Sequence, residues 1–298
     1  MVYVLPFPEI DPALFTVSLG GMEFSLRWYA IAYIAGLVLG WRLMVVLMRR
    51  ERLWPGAKAP MPPAAPEELL TWMVLGVVLG GRLGFVLFYN PEYYWENPSE
   101  IFAIWQGGMA FHGGFLGVIV GVVVYCWRKG YPVWQVGDAV ALATPPGIFF
   151  GRIANFINGE LWGRPTDVSW AMVFPTAQDD QPRHPSQLYE AALEGLLLFV
   201  LLWGLALYAR WLTRPGAITG MFLIGYGAAR TFVENFRQGN LEYVTRDNPM
   251  GHSIRFGTGP EAMGLTMGQI LSLPMVAIGI VFVVVAFRRA RGPHPDPA

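Results

Sequence analysis

Long apolar stretches alternate with polar segments along most of the chain. A bilayer core of about 30 Å needs roughly 20 mostly apolar residues in an α-helix. Seven stretches meet this requirement, at 28–48, 69–89, 109–127, 137–157, 188–208, 216–235 and 267–287. The fourth contains Pro145 and Pro146, which we expect to bend or break its helix. The pattern predicts an all-α polytopic membrane protein with seven transmembrane helices, formed by one domain over residues 1–298.

The composition supports this class. The chain is 54% hydrophobic and 14% charged, whereas soluble domains carry about a quarter charged residues. Cys126 is the single cysteine, so an internal disulfide and a zinc site with several thiolates are both excluded. The four histidines show no metal-ligand spacing. We therefore expect no metal site.

The basic residues predict the direction of the spans. One set of loops carries eleven, namely Arg49, Arg50, Arg52, Lys58, Arg128, Lys129, Arg210, Arg214, Arg288, Arg289 and Arg291. The alternate, longer loops carry six. The positive-inside rule places the larger set in the cytoplasm, with the N-terminus outside and the C-terminus inside. The polar segments 159–187 and 237–264 then form a small extracytoplasmic cap.

With this direction, polar side chains of six helices fall in one layer in the outer half of the membrane. Ionisable groups inside spans are costly and usually face a cavity or a partner. The layer therefore predicts a functional cavity. Its members are Tyr29, Arg82, His112, Arg152, Asn155, His184, Gln187, Glu190, Arg230 and Glu234.

Helical spacing groups some of these residues. Arg152 and Asn155 share one helix face, and Tyr226, Arg230 and Glu234 share another. A purely structural Arg230–Glu234 salt bridge would explain part of the pattern. It explains less well why Arg82, Arg152 and Arg230 lie at one depth with few acids nearby. Such a surplus of guanidinium groups suits an anionic phosphate. Glu194, deeper in the fifth span, is ambiguous.

His112 and Tyr29 each allow two interpretations. His112 lies between glycines, which permit a close approach of substrate, and imidazole can move a proton near neutral pH. A hydrogen-bonded structural histidine is the alternative. Tyr29 follows Trp28 and could equally belong to the aromatic belt of the interface.

Residues 151–163 (GRIANFINGELWG) closely resemble the signature of the bacterial prolipoprotein diacylglyceryl transferases. Further fragments match that family in order along the chain. They are 27–29 (RWY), 80–90 (GGRLGFVLFYN), 111–114 (FHGG), 183–190 (RHPSQLYE), 225–237 (GYGAARTFVENFR) and 267–272 (MGQILS).

The resemblance implies an activity. The family moves the diacylglyceryl group of phosphatidylglycerol to the lipobox cysteine thiol of a prolipoprotein signal peptide, forming a thioether and releasing glycerol phosphate. It also implies seven spans in the bacterial cytoplasmic (inner) membrane, an active site toward the outer leaflet, no cofactor and no nucleic-acid partner.

The resemblance and the polar layer together give the candidate site. We expect catalytic roles for His112, Arg230, Tyr29, Asn155, Glu160 and Tyr226. We expect substrate-binding roles for Arg152, Arg237, Gly163, Glu234 and Arg82. His112 is the candidate base, Arg152 binds the headgroup phosphate, and Arg230 stabilises the leaving phosphate. Glu160 positions an arginine or the glycerol of the headgroup.

Two other classes of membrane protein remain as alternatives. An anion or lipid transporter also carries intramembrane arginines, but transporters typically show paired halves and midplane sites. No internal repeat is apparent here. An intramembrane protease would need a serine nucleophile motif such as G-x-S-x-G or two aspartates within spans. Only Asp138 approaches the second requirement.

Overall fold

The computed structural model describes residues 4–8, 10–239 and 242–290. Arg291 of the predicted cytoplasmic set and residues 240 and 241 of the predicted cap lie outside the described residues. The chain divides into two compact units. Unit 1 comprises Met1–Gly40 and Ala141–Ala298, and unit 2 comprises Trp41–Val140.

Helices make up most of the described chain. In chain order they are α1 (Trp28–Arg49), α2 (Ala65–Phe88), α3 (Pro91–Glu96), α4 (Phe111–Lys129), α5 (Val133–Ile157), α6 (Ser186–Leu207), α7 (Ala217–Val233) and α8 (Met267–Arg289). Short 3₁₀ turns lie between several of them.

Six of the seven predicted spans form helices that are long and apolar enough to cross a membrane, namely α1, α2, α4, α5, α6 and α8. The sixth predicted span forms α7, which is shorter at 17 residues. The chain is therefore a mostly helical, polytopic membrane protein. α5 continues through Pro145 and Pro146, so the break that we considered there does not occur.

Short strands before the first helix and between later helices were not predicted, and the all-α class needs this correction. Within residues 4–8, 10–239 and 242–290, three two-stranded antiparallel sheets form, each from neighbouring segments. They pair β1 (Ala13–Leu19) with β2 (Met22–Arg27), β3 (Met172–Val173) with β4 (Pro182–Arg183), and β5 (Ile254–Phe256) with β6 (Met263–Leu265). Gly20 and Gly21 adopt positive φ in the first hairpin, as its two-residue turn requires.

In unit 2, α2 and α4 approach to backbone contact. A Cβ atom added at Gly80 would lie 2.8 Å from Gly117 Cα, and one added at Gly84 would lie 2.8 Å from Gly113 Cα. Small residues at four-residue spacing allow this packing between membrane helices.

In unit 1, α7 and α8 meet in the same way. A Cβ atom added at Gly220 would lie 2.7 Å from Gly279 O. The segment that follows α5 in this unit folds around a small apolar core. Phe156, Phe174 and Ala177 are buried there, and the partly buried side chains Phe7, Trp162, Met172 and Leu188 pack against them.

Candidate active site

A fully buried carboxylate, that of Glu190, lies at the centre of a charged cluster in unit 1. Its Oε1 accepts a hydrogen bond from Arg230 Nη1 at 2.5 Å and another from Arg237 Nη1. Its Oε2 lies 3.3 Å from Arg152 Nε. The Glu190 side chain has no exposed surface, whereas the three arginine side chains are 16–20% exposed. In this cluster the arginine side chains, and not the central carboxylate, therefore keep accessible surface.

Two further carboxylates flank the arginines. Glu234 Oε2 lies 3.0 Å from Arg230 Nη2 and 3.8 Å from Arg237 Nε. Glu194 Oε2 lies 3.7 Å from Arg152 Nη2. Three arginines thus face three glutamates, and the formal charge of the cluster is zero. The expected surplus of positive charge around Arg152 and Arg230 is wrong, because α6 supplies Glu190 and Glu194.

A second hydrogen-bonded group joins Tyr29 of α1, Asn155 of α5 and Glu160. Asn155 Nδ2 donates to Glu160 Oε1 at 2.8 Å and to Tyr29 Oη at 3.3 Å. Asn155 is buried, and the ring of Tyr29 packs against that of Tyr33 with centroids 5.0 Å apart. The described partner of the Glu160 carboxylate is therefore an amide, which is neither the arginine nor the headgroup glycerol that we expected it to position.

Backbone contacts connect the motif at 151–163 to the start of α6. Gln187 Nε2 donates to Glu160 O at 2.6 Å, and Ser186 Oγ donates to Leu161 O at 3.2 Å. Gly163 N donates to His184 O at 2.9 Å. A Cβ atom at Gly163 would lie 2.7 Å from His184 Cβ. The close approach explains why glycine occupies this position, and it favours a packing role for Gly163 over the predicted substrate contact.

α6 contains a π-helical segment at Ala191–Leu197. It begins directly after Glu190 and includes Glu194, and both side chains are completely buried. A Cβ atom at Gly195 would lie 2.7 Å from Phe149 Cβ, so this segment packs closely on α5. Single π turns inside α-helices occur frequently at functional sites.

Tyr226 lies on α7, one turn before Arg230. Its ring stacks on that of Phe222 with centroids 5.9 Å apart. Glu194, Arg230 and Arg152 act on it electrostatically. The predicted shared face of Tyr226, Arg230 and Glu234 is therefore directed at the charged cluster.

Unit 2 contains two of the predicted site residues, Arg82 and His112. Arg82 is buried, and its guanidinium donates to four backbone carbonyls, those of Glu100, Ile101, Gly107 and Gly108, at 2.6, 2.8, 2.6 and 3.2 Å. It also lies over the ring of Tyr94. This geometry favours a structural role for Arg82 over the predicted contact with substrate.

His112 lies in the first turn of α4 and is exposed. Its ring packs edge-on against Phe111 with centroids 5.6 Å apart. The His112 imidazole is therefore accessible from outside unit 2, as the predicted role of a base requires.

Glu190 belongs to the predicted polar layer but not to the predicted catalytic or substrate-binding residues, and Glu194 is ambiguous from the sequence. A signal for both exists in the sequence. Arginines inside apolar spans need buried counter-charges, and the fifth predicted span carries these two acids four residues apart, which places them on one helix face. Among the described residues, no group of three or more His, Cys, Asp or Glu side chains is arranged to hold a metal ion.

Six long apolar helices and a buried arginine–glutamate cluster define a polytopic integral membrane protein with a polar site within its apolar helices. Residues 15–285 match the family model of the prolipoprotein diacylglyceryl transferases. The chain belongs to this family.

Curated relatives agree along nearly the full length. The chain is 55% identical to the phosphatidylglycerol–prolipoprotein diacylglyceryl transferase of Ruegeria pomeroyi, over 95% of this chain and 98% of the relative. It is 53% identical to the enzyme of that name from Cereibacter sphaeroides (96% and 99%). It is 49% identical to the one from Methylocella silvestris (98% and 100%).

Proposed function

We propose that this chain transfers the diacylglyceryl group of phosphatidylglycerol to the lipobox cysteine of prolipoproteins. The observation that carries the proposal is the Glu190 cluster, where three arginines remain partly accessible around one fully buried carboxylate. Arg152, one of these arginines, belongs to the motif at 151–163 that the family resemblance singles out. A guanidinium fork binds phosphate oxygens in pairs, so this cluster suits the phosphate of a lipid headgroup.

In the proposed reaction, the cysteine thiol first loses its proton. The thiolate sulfur attacks the diacylglyceryl carbon that bears the phosphate oxygen. A carbon–sulfur bond forms while that carbon–oxygen bond breaks, and its electron pair leaves with the oxygen as glycerol phosphate. The product is a thioether, and no cofactor is required.

Negative charge grows on the phosphate as it leaves, and the arginines can stabilise this charge. Fixed donors aimed at developing charge lower a barrier more than mobile water does. We assign Arg152 to the headgroup phosphate and Arg230 to the leaving phosphate. Arg237 and Glu234 complete the cluster beside them.

The proton requires a base, because a free thiol has a pKa of about 8.5. We assign this step to His112, whose side chain is exposed and belongs to the residue type that most often serves as a general base. Asn155 orients the headgroup together with Tyr29, and Glu160 holds the Asn155 amide. Tyr226 lines the phosphate site.

The proposed activity also implies a placement in the cell. We assign both units to one transferase domain with seven spans in the bacterial cytoplasmic membrane, α7 being the seventh. The N-terminus lies outside and the C-terminus in the cytoplasm. The segments 159–187 and 237–264 form the extracytoplasmic cap, and the site opens toward the outer leaflet.

One assay tests the function directly. Purified protein is incubated with phosphatidylglycerol and a synthetic lipobox peptide, and the mass of the peptide is measured by mass spectrometry. We expect a gain of one diacylglyceryl group, and no gain with a peptide whose cysteine is replaced by serine. Folded protein that leaves the peptide unchanged, yet moves lipid between vesicle leaflets, would favour the transporter alternative.

A further inference from the structure

We infer that Glu190 is a positioning residue, which fixes the directions of Arg152, Arg230 and Arg237 toward the substrate phosphate without touching substrate. The inference rests on the proposed function, since the phosphate is that of the phosphatidylglycerol headgroup. It assigns a role to a buried charge that the proposed reaction does not otherwise use.

The arginines and Glu190 differ in their solvent exposure. The Glu190 side chain has no accessible surface, while those of Arg152, Arg230 and Arg237 keep 20%, 16% and 17% of theirs. A ligand that reaches the cluster therefore meets arginine side chains before the Glu190 carboxylate. The carboxylate lies behind them and acts through them.

The three arginines come from different parts of unit 1. Arg152 lies on α5, Arg230 on α7, and Arg237 in the segment that follows α7. Their positive charges repel one another, and this repulsion is strong where water is scarce. Among the described residues, Glu190 is the one carboxylate in contact with all three. Glu194 contacts one of them and Glu234 two.

The position of the Glu190 carboxylate is set by the backbone around it. The side chains of Ser186 and Gln187 hydrogen-bond to the carbonyls of Leu161 and Glu160, which fixes the first turn of α6. The π-helical segment begins at the next residue, Ala191. A carboxylate held this rigidly determines where its arginine partners point, rather than following them.

The substitution Glu190→Gln tests the role, because glutamine keeps the size of the side chain and one carbonyl acceptor but removes the charge. We expect kcat for peptide lipidation to fall about 100-fold, the loss expected when reacting groups shift by about 1 Å. KM for phosphatidylglycerol should stay level or decrease, because the cluster gains one net positive charge. Inhibition by added glycerol phosphate should become several-fold stronger for the same reason.

A merely structural role predicts a different pattern. It would lower the yield or melting temperature of the protein, while kcat and KM of the folded fraction stayed near wild type. Glu68→Gln is the matched control, since Glu68 pairs with Lys129 at a half-exposed position and its loss should leave both constants unchanged.

A second variant covers the case in which Glu190→Gln does not fold. Glu190→Asp keeps the charge but withdraws the carboxylate by one methylene, so that it no longer reaches all three arginines. Its kcat should fall about tenfold with KM unchanged, between wild type and Glu190→Gln. A folded variant of either kind with kcat within threefold of wild type, or with an increased KM alone, would overturn the inference. A wild-type protein without transfer activity would instead refute the proposed function.

Discussion

The side-chain amide of Asn155 donates to the carboxylate of Glu160 at 2.8 Å, five positions further along the chain. The substitution Asn155→Asp would replace this donor with a second carboxylate at the same distance. Two like charges so close repel strongly, so the turn at the end of α5 should shift. We expect transfer at pH 8 to fall about 100-fold, by the same positional argument that applies to reacting groups.

Glu160→Gln provides the comparison for this prediction. It keeps a carbonyl oxygen that can accept from the Asn155 amide, and it should therefore lose less activity than Asn155→Asp. The activity of both variants is measured as the initial rate of peptide lipidation. Equal rates for Asn155→Asp and wild type would show that this contact has no part in the site.

His112→Gln tests the assignment of the base. The amide cannot take up a proton near neutral pH, so the transfer rate should fall by about 10²–10⁴-fold, the usual contribution of a positioned base. The rate is measured with purified protein in phosphatidylglycerol micelles from pH 6 to 9. A rate near wild type over this range would mean that another group accepts the thiol proton.

Arg82→Lys distinguishes a structural from a substrate-binding arginine. An ammonium has three donors at one point and cannot reach the four carbonyls that the Arg82 guanidinium contacts. We expect faster proteolysis within residues 91–110 and a lower melting temperature, while KM for phosphatidylglycerol in the folded fraction stays unchanged. A selective increase in KM at normal stability would restore the substrate-binding role.

The α2–α4 contact gives a prediction for stability. A side chain at Gly117 would overlap the backbone of Gly76, so Gly117→Leu should force the two helices apart. The cost should be about 1–3 kcal/mol or more, as for other overpacked cores, and it can be measured by thermal unfolding in detergent. Gly204→Ala is the control, because nothing lies within 4 Å of the added Cβ and its melting temperature should not decrease.

The stability of unit 1 should also depend on pH through His184. Burial lowers the pKa of this imidazole below its ordinary value of 6.5, so the unfolded chain binds the proton more readily than the folded one. The stabilisation is complete above about pH 6.5 and is lost as the pH falls toward the folded-state pKa. His184→Gln should flatten the decrease in melting temperature between pH 7.5 and 5.5. An unchanged decrease would assign the effect to other groups.

The sequence was sufficient for most of the helical framework and for part of the site. Span length and apolar composition predicted the six long helices, because a bilayer imposes both on any helix that crosses it. Spacing predicted the Tyr226, Arg230 and Glu234 face, and depth brought Tyr29, Arg152, Asn155 and Arg230 into one list. The structure brings these four into unit 1, in two hydrogen-bonded or ion-paired groups.

Other features depend on contacts that spacing does not reveal. Glu190, which pairs with both Arg152 and Arg230, lies on α6 about 40 residues from each, so these two ion pairs depend on the tertiary fold. The π-helical segment escaped prediction because its residues have the same apolar character as the surrounding helix. Arg82 looked like a ligand-binding charge because its four partners are backbone carbonyls, which every sequence supplies everywhere.

The glycine contacts between α2 and α4 and between α7 and α8 limit where a lipid can pass between helices. At Gly84 and at Gly220 the facing helices leave no room for a single added carbon atom. At these points an acyl chain cannot slip between them. Each of these two helix pairs is therefore closed to the lateral passage of lipid at its glycine contact.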